Sequence, residues 1–119
     1  STWHGSFVDK TCYNLPIIHE PLRVTMYIAD IVWLPQIIDK LAWKHDVFPE
    51  EVDQVLFSRP VYRKVQKSHV PGEDVYAALG RTNGGRYLIV FFIYKASREA
   101  LIISARDMDK KERRQYERK

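Results

Sequence analysis

RYLIVFFIYK, residues 86–95, contains seven consecutive apolar residues (87–93) with no polar residue among them. A strand with one face in water alternates apolar and polar side chains, so this run predicts a central strand that is covered on both faces. Asn-Gly-Gly at positions 83–85 tolerates positive φ and predicts a hairpin connection to a preceding strand over 73–82. The sheet is therefore expected to be built around residues 86–95.

Further strands are predicted on both sides of this hairpin. PVYRKVQ (60–66), EALIISAR (99–106) and MYIADIVW (26–33) are rich in the β-branched, aromatic and other apolar residues of strands. Between two of these strands, LPQIIDKLAWKH (34–45) repeats apolar residues with a helical period, and FPEEVDQVLFS (48–58) has a proline and two glutamates suited to a first helical turn. Sequential antiparallel neighbours are the simplest topology for such strands.

The last element is predicted to be a short helix, because Asp109 followed by Glu112 is a capping box. The elements together predict an α+β fold: an antiparallel sheet of four to five strands, two helices before it and one short C-terminal helix. Residues 26–119 are expected to form a single domain. Residues 1–25 are interpreted as an N-terminal extension or added leader, or alternatively as an edge segment in which LPIIHEPLRV (15–24) lies along the sheet.

Composition restricts the possible functions. The 119 residues carry a net charge of +4 and a pI of about 9.2, which favours an anionic partner such as nucleic acid. A single cysteine, Cys12, excludes a disulfide framework within the chain. We find no run of eighteen apolar residues and no signal-peptide pattern. A cytoplasmic protein without membrane association is therefore predicted.

Three short stretches, in the same order and spacing, resemble one protein family. KHDV followed by PEEVDQVLF (44–57) is similar to KHGV-x-PEE-V-x-x-VLF, and GEDVYAALGRTNGGRYLIVFF (72–92) to GE-x-RY-x-x-x-GRT-x-x-GR-x-L-x-VV-F. IISARDMDKKERRQYE (102–117) is similar to I-I-[ST]-AR-x-x-T-x-x-ER-x-x-YE. The family is the BrnT-like toxins of bacterial type II toxin–antitoxin systems. Two departures stand out: Asp46 replaces a common glycine, and Asp107 stands where some relatives have a basic residue.

The resemblance implies a compact RelE-like fold and a ribonuclease that inhibits translation. It also implies a cognate antitoxin protein that covers the toxin, so RNA and this antitoxin are the expected partners. A homo-oligomer remains open. The four histidines (4, 19, 45 and 69) form no metal-binding motif, so we predict no metal site, no cofactor and a metal-independent cleavage. Such cleavage requires a base, an acid and cations that stabilise the phosphorane.

His45 is the strongest candidate for general acid or base, because imidazole titrates near neutral pH. It ends the first predicted helix, where a histidine can instead cap the last carbonyl oxygens. Lys44 is expected to bind RNA or to be merely solvated. Arg81 could clamp phosphate beside the turn or form an ion pair with Glu73 or Asp74.

The last predicted strand and helix supply three more candidate catalytic residues. Arg106 leaves the strand where the helix begins, a position that favours anions, or it pairs with a neighbouring carboxylate. Arg113 and Tyr116 share one helix face, so Arg113 could hold phosphate and Tyr116 could stack on a base. Tyr116 could equally anchor the helix on the sheet.

Three basic residues near the strand over 60–66 form either an RNA-binding track or a docking strip for an acidic antitoxin; they are Arg59, Arg63 and Lys64. Two functions remain in competition. A ribonuclease requires His45 and the arginines to converge on one cleft. A non-catalytic interaction module, which binds a protein partner or nucleic acid, requires them to scatter or to be tied into ion pairs beside an exposed apolar groove or sheet edge.

Overall fold

The computed structural model describes residues 23–66 and 73–118, which form an α+β fold. The strands are β1 (Arg23–Val24), β2 (Asp30–Val32), β3 (Val61–Gln66), β4 (Val75–Arg81), β5 (Tyr87–Tyr94) and β6 (Glu99–Asp107). The helices are α1 (Pro35–Lys40), which continues into a π-helical turn (Leu41–His45), α2 (Pro49–Leu56) and α3 (Lys110–Glu117). Within the described ranges, the strands form one sheet in the order β1–β3–β4–β5–β6–β2.

The central position predicted for residues 86–95 is confirmed. β5 lies between β4 and β6 and pairs antiparallel with both. Residues 88–93 are all buried, because helices or other apolar side chains cover both faces of the strand. The predicted hairpin connection is also present: Gly85 has a φ of 90°, which glycine adopts readily.

The sheet differs from the prediction in direction and in size. β2 pairs with β6 in parallel, so the sheet is mixed and not wholly antiparallel. The strand predicted over 26–33 is also shorter, since only Asp30–Val32 are paired. The physical reason is that apolar content identifies a strand but not its neighbour, and the connection from β2 passes through both helices before the chain returns to the sheet.

The alternative interpretation placed residues 15–24 along the sheet, and the structure describes only the last two of these residues. Arg23 and Val24 form β1, which pairs antiparallel with β3 at the sheet edge. The prediction for residues 1–22 lies outside the described part of the chain.

α1, the π-helical turn and α2 pack on one face of the sheet. Ile37 and Leu41 from the first helical segment and Val52 from α2 are buried against strand residues that include Phe92. The π-helical turn ends at Asp46, whose φ of 55° lies in the left-handed region. A non-glycine residue has a steric penalty in this region that glycine would not have.

α3 packs against the opposite face of the sheet. Its Tyr116, together with Met108, contacts the apolar cluster that contains Ile89 and Phe91. The capping box predicted for this helix is present, because Asp109 Oδ1 accepts from the Glu112 N–H at 2.8 Å and Glu112 Oε1 accepts from the Asp109 N–H at 2.9 Å. None of the helices in the described ranges is long and apolar enough to span a membrane.

Candidate active site

The predicted catalytic residues lie at one end of the sheet, which we call the site end. Here β4 ends at Arg81, opposite Tyr87 at the start of β5, and β6 ends at Asp107, opposite Leu88. The π-helical turn with His45 and the first turn of α3 reach the same end. The hairpin connection and these two helical termini thus bring residues from distant parts of the sequence together.

His45 is half-buried beside the end of β6. Burial lowers the pKa of its imidazole, and the positive charges of Lys44 and Arg106 lower it further, while Asp107 acts in the opposite direction. Its Nε2 is buried and has no hydrogen-bond partner among the residues described. The ring is therefore neutral at pH 7.

The carbonyl oxygens at the end of the π-helical turn are bonded by Arg86 and not by a histidine ring. Arg86 Nη2 donates to His45 O at 3.0 Å, and Nη1 donates to Asp46 O at 2.6 Å. The same guanidinium donates to Asp107 at 2.7 and 3.3 Å and to Glu51 at 3.1 and 3.2 Å. Arg86 thus links β5, β6, α2 and the segment that carries His45.

Arg106 forms the ion pair that was considered as its alternative role. Its Nη1 and Nη2 donate to the two carboxylate oxygens of Glu112 at 2.8 and 2.9 Å. Glu112 is only 1% exposed, and the guanidinium also lies over the ring of Phe91, 5.5 Å from its centre. Arg106 remains close enough to His45 to lower its pKa, but its orientation is set by Glu112.

Arg81 and Arg113 both lie over the ring of Tyr87. Their guanidinium carbons are 4.5 and 4.0 Å from the ring centre, and both residues are exposed. Arg81 also donates to Gly85 O at 3.2 and 3.3 Å. Tyr116 packs edge-on against Tyr87, with ring centres 6.0 Å apart, as expected of an anchor for α3. The four side chains form an exposed cationic cluster.

The predicted alternative in which Arg81 forms an ion pair with Glu73 or Asp74 is wrong. Both acidic residues precede β4, whereas Arg81 is its last residue, so the length of the strand separates them. Asp74 instead pairs with Lys64, at 3.1 Å. This pair lies at the opposite end of the sheet, which we call the far end; it also contains the turn 95–98.

The four residues predicted to bind RNA do not form one track. Lys44 is exposed beside His45 at the site end, whereas Lys64 is at the far end. Arg63 is only 1% exposed, on the face of β3 opposite to Lys64. Arg59 is exposed before β3, with a φ of 59°.

Arg59 borders an apolar groove of about 400 Å³. Met26, Leu56 and Tyr62 line the groove, and Phe57, also in its lining, is 62% exposed. This is a feature that the interaction-module interpretation requires.

Within residues 23–66 and 73–118, no three His, Cys, Asp or Glu side chains are grouped in a way that could hold a metal ion.

Sequence reasoning missed Arg86, Tyr87 and Glu112 as parts of this site. Arg86 bonds to residues 40 and 41 positions away, a relation that no local pattern contains. A usable signal existed for Arg86, since it closes the GRT-x-x-GR part of the quoted motif. Glu112 was recognised as a capping residue but not as the partner of Arg106.

Comparison with known proteins agrees with the motifs. The family described as "Ribonuclease toxin, BrnT, of type II toxin-antitoxin system" matches residues 33–112. A crystal structure of the Brucella abortus ribonuclease toxin BrnT is similar, with a TM-score of 0.50 and 20% identity over 72% of this chain and 100% of that chain. At this identity the similarity supports the fold alone. No curated protein matches the chain.

Proposed function

The chain belongs to the BrnT family of ribonuclease toxins of type II toxin–antitoxin systems, and we propose that it cleaves RNA itself, without a metal ion, and so inhibits translation. The observation that carries this proposal is His45, a neutral imidazole whose Nε2 has no partner among the residues described and whose charged neighbours include Lys44 and Arg106. The matched range includes His45, Arg81 and Arg106, whereas Arg113 and Tyr116 lie beyond it.

In the proposed reaction, His45 acts as the general base. Its imidazole takes the proton from a ribose 2′-OH, the 2′-oxygen attacks the adjacent phosphorus, and the bond from phosphorus to the 5′-oxygen breaks. The leaving 5′-oxygen takes a proton from a solvent water molecule, and the products end in a 2′,3′-cyclic phosphate and a 5′-hydroxyl. Because the pKa of His45 is lowered, its basic form persists at neutral pH and somewhat below.

The exposed arginines are assigned to the phosphate. Arg81 and Arg113 are held at one aromatic ring, so both can face the same phosphoryl group and stabilise the charge of the phosphorane. Arg106 contributes differently, since Glu112 holds its guanidinium; after burial and Lys44, its charge is a further cause of the lowered pKa of His45.

RNA binding outside the reaction centre is assigned by position. Lys44 is the basic side chain that accompanies His45, so it is expected to contact a neighbouring phosphate. Tyr116, beside the cationic cluster, is assigned to stack on a base. Lys64 is not included, because it pairs with Asp74 at the far end.

The cognate partner of a type II toxin is an antitoxin protein. We place its inhibitory contact over the site end, since covering the exposed arginines there would exclude RNA. Because RNA is the proposed substrate, the proposed location is the cytoplasm. A homo-oligomer is not required, since the proposed catalytic residues all come from one chain.

A second candidate function is a non-catalytic interaction module. Two observations favour it: Arg106 is tied to Glu112, and an apolar groove with an exposed Phe57 lies beside β3. Under this alternative the chain would bind a protein partner through the groove and leave RNA intact.

The deciding experiment is RNA cleavage by the purified full chain in the presence of EDTA. His45→Ala and Arg81→Gln are compared with Arg98→Gln, which changes an arginine in the turn at the far end. We expect cleavage with EDTA that is lost in folded His45→Ala, reduced in Arg81→Gln and kept in Arg98→Gln. Cleavage abolished by EDTA would contradict the metal-independent mechanism.

The ends of the products give an independent check of the mechanism. A 2′,3′-cyclic phosphate is expected, because the 2′-oxygen is the nucleophile. Absence of cleavage on free and ribosome-bound RNA by the intact chain would favour the interaction module.

A further inference from the structure

Arg86 has no N–H group left for a substrate. A guanidinium carries five N–H donors. Nε donates to Asp107, Nη2 to Asp107 and His45 O, and Nη1 to Glu51 and Asp46 O. All five are directed at protein acceptors, which distinguishes Arg86 from the exposed Arg81 and Arg113.

The acceptors of Arg86 lie in two parts of the site, the π-helical turn and the end of β6, whose relative position must stay fixed. His45 O and Asp46 O belong to the end of the π-helical turn, and Asp107 follows Arg106 at the end of β6. Glu51 fixes the guanidinium from the first turn of α2 and also accepts from the Phe48 N–H at 3.2 Å. Arg86 therefore joins the backbone behind His45 to the strand that ends beside Arg106.

The segment that Arg86 holds has an irregular backbone. The helix changes to a π-helical turn over residues 41–45 and stops at Asp46 in a left-handed conformation. The carbonyl oxygens at such an end have no following helical turn to satisfy them. Without the two bonds from Arg86, water would compete for these oxygens, and the direction of the His45 side chain would be less well fixed.

We propose that Arg86 is a positioning residue for RNA cleavage, which fixes the backbone of His45 against the end of β6 and so sets the position of the imidazole at the site end. The inference rests on the proposed role of His45. It assigns to Arg86 no contact with RNA. Lysine cannot replace it, because an ammonium has three donors at one point and cannot reach two carbonyl oxygens and two carboxylates at once.

The test measures His45 and the reaction separately. The imidazole of His45 is titrated by NMR in the full chain, its signal being identified by its loss in His45→Gln. The same titration is made for Arg86→Gln, for Arg86→Lys and for Arg98→Gln as a matched arginine control. In both Arg86 variants we expect the pKa of His45 to rise towards its ordinary value, because water reaches the ring when the segment loosens.

The kinetic readout is the separation of kcat from KM. A misplaced base lowers kcat, by about 100-fold for a displacement near 1 Å, while KM changes little because Arg86 does not touch the substrate. Arg98→Gln is expected to leave the His45 titration and both constants unchanged. A folded Arg86→Gln with the wild-type His45 titration and kcat would overturn the proposal. A raised KM with an unchanged kcat would also overturn it, because it would make Arg86 a phosphate ligand.

A second variant keeps the test decisive if the Arg86 variants do not fold. Glu51→Gln removes one anchoring carboxylate but keeps an oxygen for the Phe48 N–H, and it is expected to shift the His45 pKa in the same direction. An unchanged His45 titration in folded Glu51→Gln would then contradict the proposal. If the wild-type chain does not cleave RNA, the proposed function fails, whereas the NMR titration still decides whether Arg86 positions His45.

Discussion

Both ends of the sheet carry arginine or lysine beside carboxylates, but they connect these charges differently. At the far end, Lys64 contacts Asp74 at 3.1 Å, with both side chains partly exposed. At the site end, the single side chain of Arg86 bonds to Glu51, to Asp107 and to two carbonyl oxygens. Arg106 is held by both oxygens of a buried carboxylate.

The hydrogen bonds at the site end fix the orientation of two guanidinium groups, whereas the Lys64 ammonium at the far end has no comparable parallel pairing. A single exposed pair gains little free energy, because water screens it and two long side chains lose freedom. A guanidinium with all its donors bonded, or bonded in parallel to one carboxylate, has one defined orientation. Such order next to the unbonded His45 Nε2 is what distinguishes a candidate site from an ordinary charged surface.

The largest expected effect comes from breaking the Arg106–Glu112 pair. Glu112→Gln removes the charge that holds Arg106 and leaves that guanidinium without its carboxylate. We expect a loss of about 3 kcal/mol in the free energy of unfolding, measured by urea denaturation. Gln can still accept from the Asp109 N–H, so most of the loss is due to the ion pair. A loss below about 1 kcal/mol would mean that the Arg106–Glu112 pair stabilises the fold no more than the exposed Lys64–Asp74 pair does.

The next effect concerns the exposed arginines, which are expected to serve the reaction more than the fold. Arg81→Gln and Arg113→Gln should each reduce RNA cleavage by about tenfold, less than for a donor in a buried site, because both side chains are exposed. Thermal unfolding should change little, since each loses a cation–π contact worth about 0.5–1 kcal/mol. Unchanged cleavage in both variants would remove them from the site.

A smaller effect is expected from the titration of His45. Its pKa is lower in the folded chain than in the unfolded chain, so between these two values the unfolded state binds more protons. The free energy of unfolding should therefore decrease as the pH falls below about 6.5. The measurement is the difference between wild type and His45→Gln in urea unfolding at several pH values. An equal pH dependence in both would show that folding does not alter this pKa.

The smallest effect is expected at the far end. Asp74→Asn breaks the Lys64 pair and should change the free energy of unfolding by about 0–1 kcal/mol. Added salt should reduce the difference further. A loss as large as that of Glu112→Gln would contradict the distinction between the two ends.

The sequence predicted the parts of the fold that depend on local patterns. The apolar run around Val90 identified the central strand, and Asp109 with Glu112 identified the last helix. The direction of β2 was not predictable in this way, because its partner Ala100 lies far along the chain from Ile31. Strand pairing of this kind is decided by packing of the intervening helices.

The sequence analysis named candidate residues of the site but not the hydrogen bonds and ion pairs that join them. His45, Arg81 and Arg113 lie at the site end, whereas Arg63 is buried on β3. Arg86 was not predicted, because its acceptors are two backbone oxygens and two carboxylates that all lie far from it along the chain. Several residues of the candidate site were thus named from the sequence, whereas their contacts with one another were not.

The parallel pairing of β2 with β6 also determines when the proposed enzyme can become active during its synthesis. A chain grows from its N-terminus, so His45 leaves the ribosome well before Arg106 and Arg113. Until β6 has docked between β5 and β2, the imidazole lacks its cationic neighbour Arg106. The proposed site is therefore incomplete on a growing chain until β6 and α3 have been synthesised and have folded.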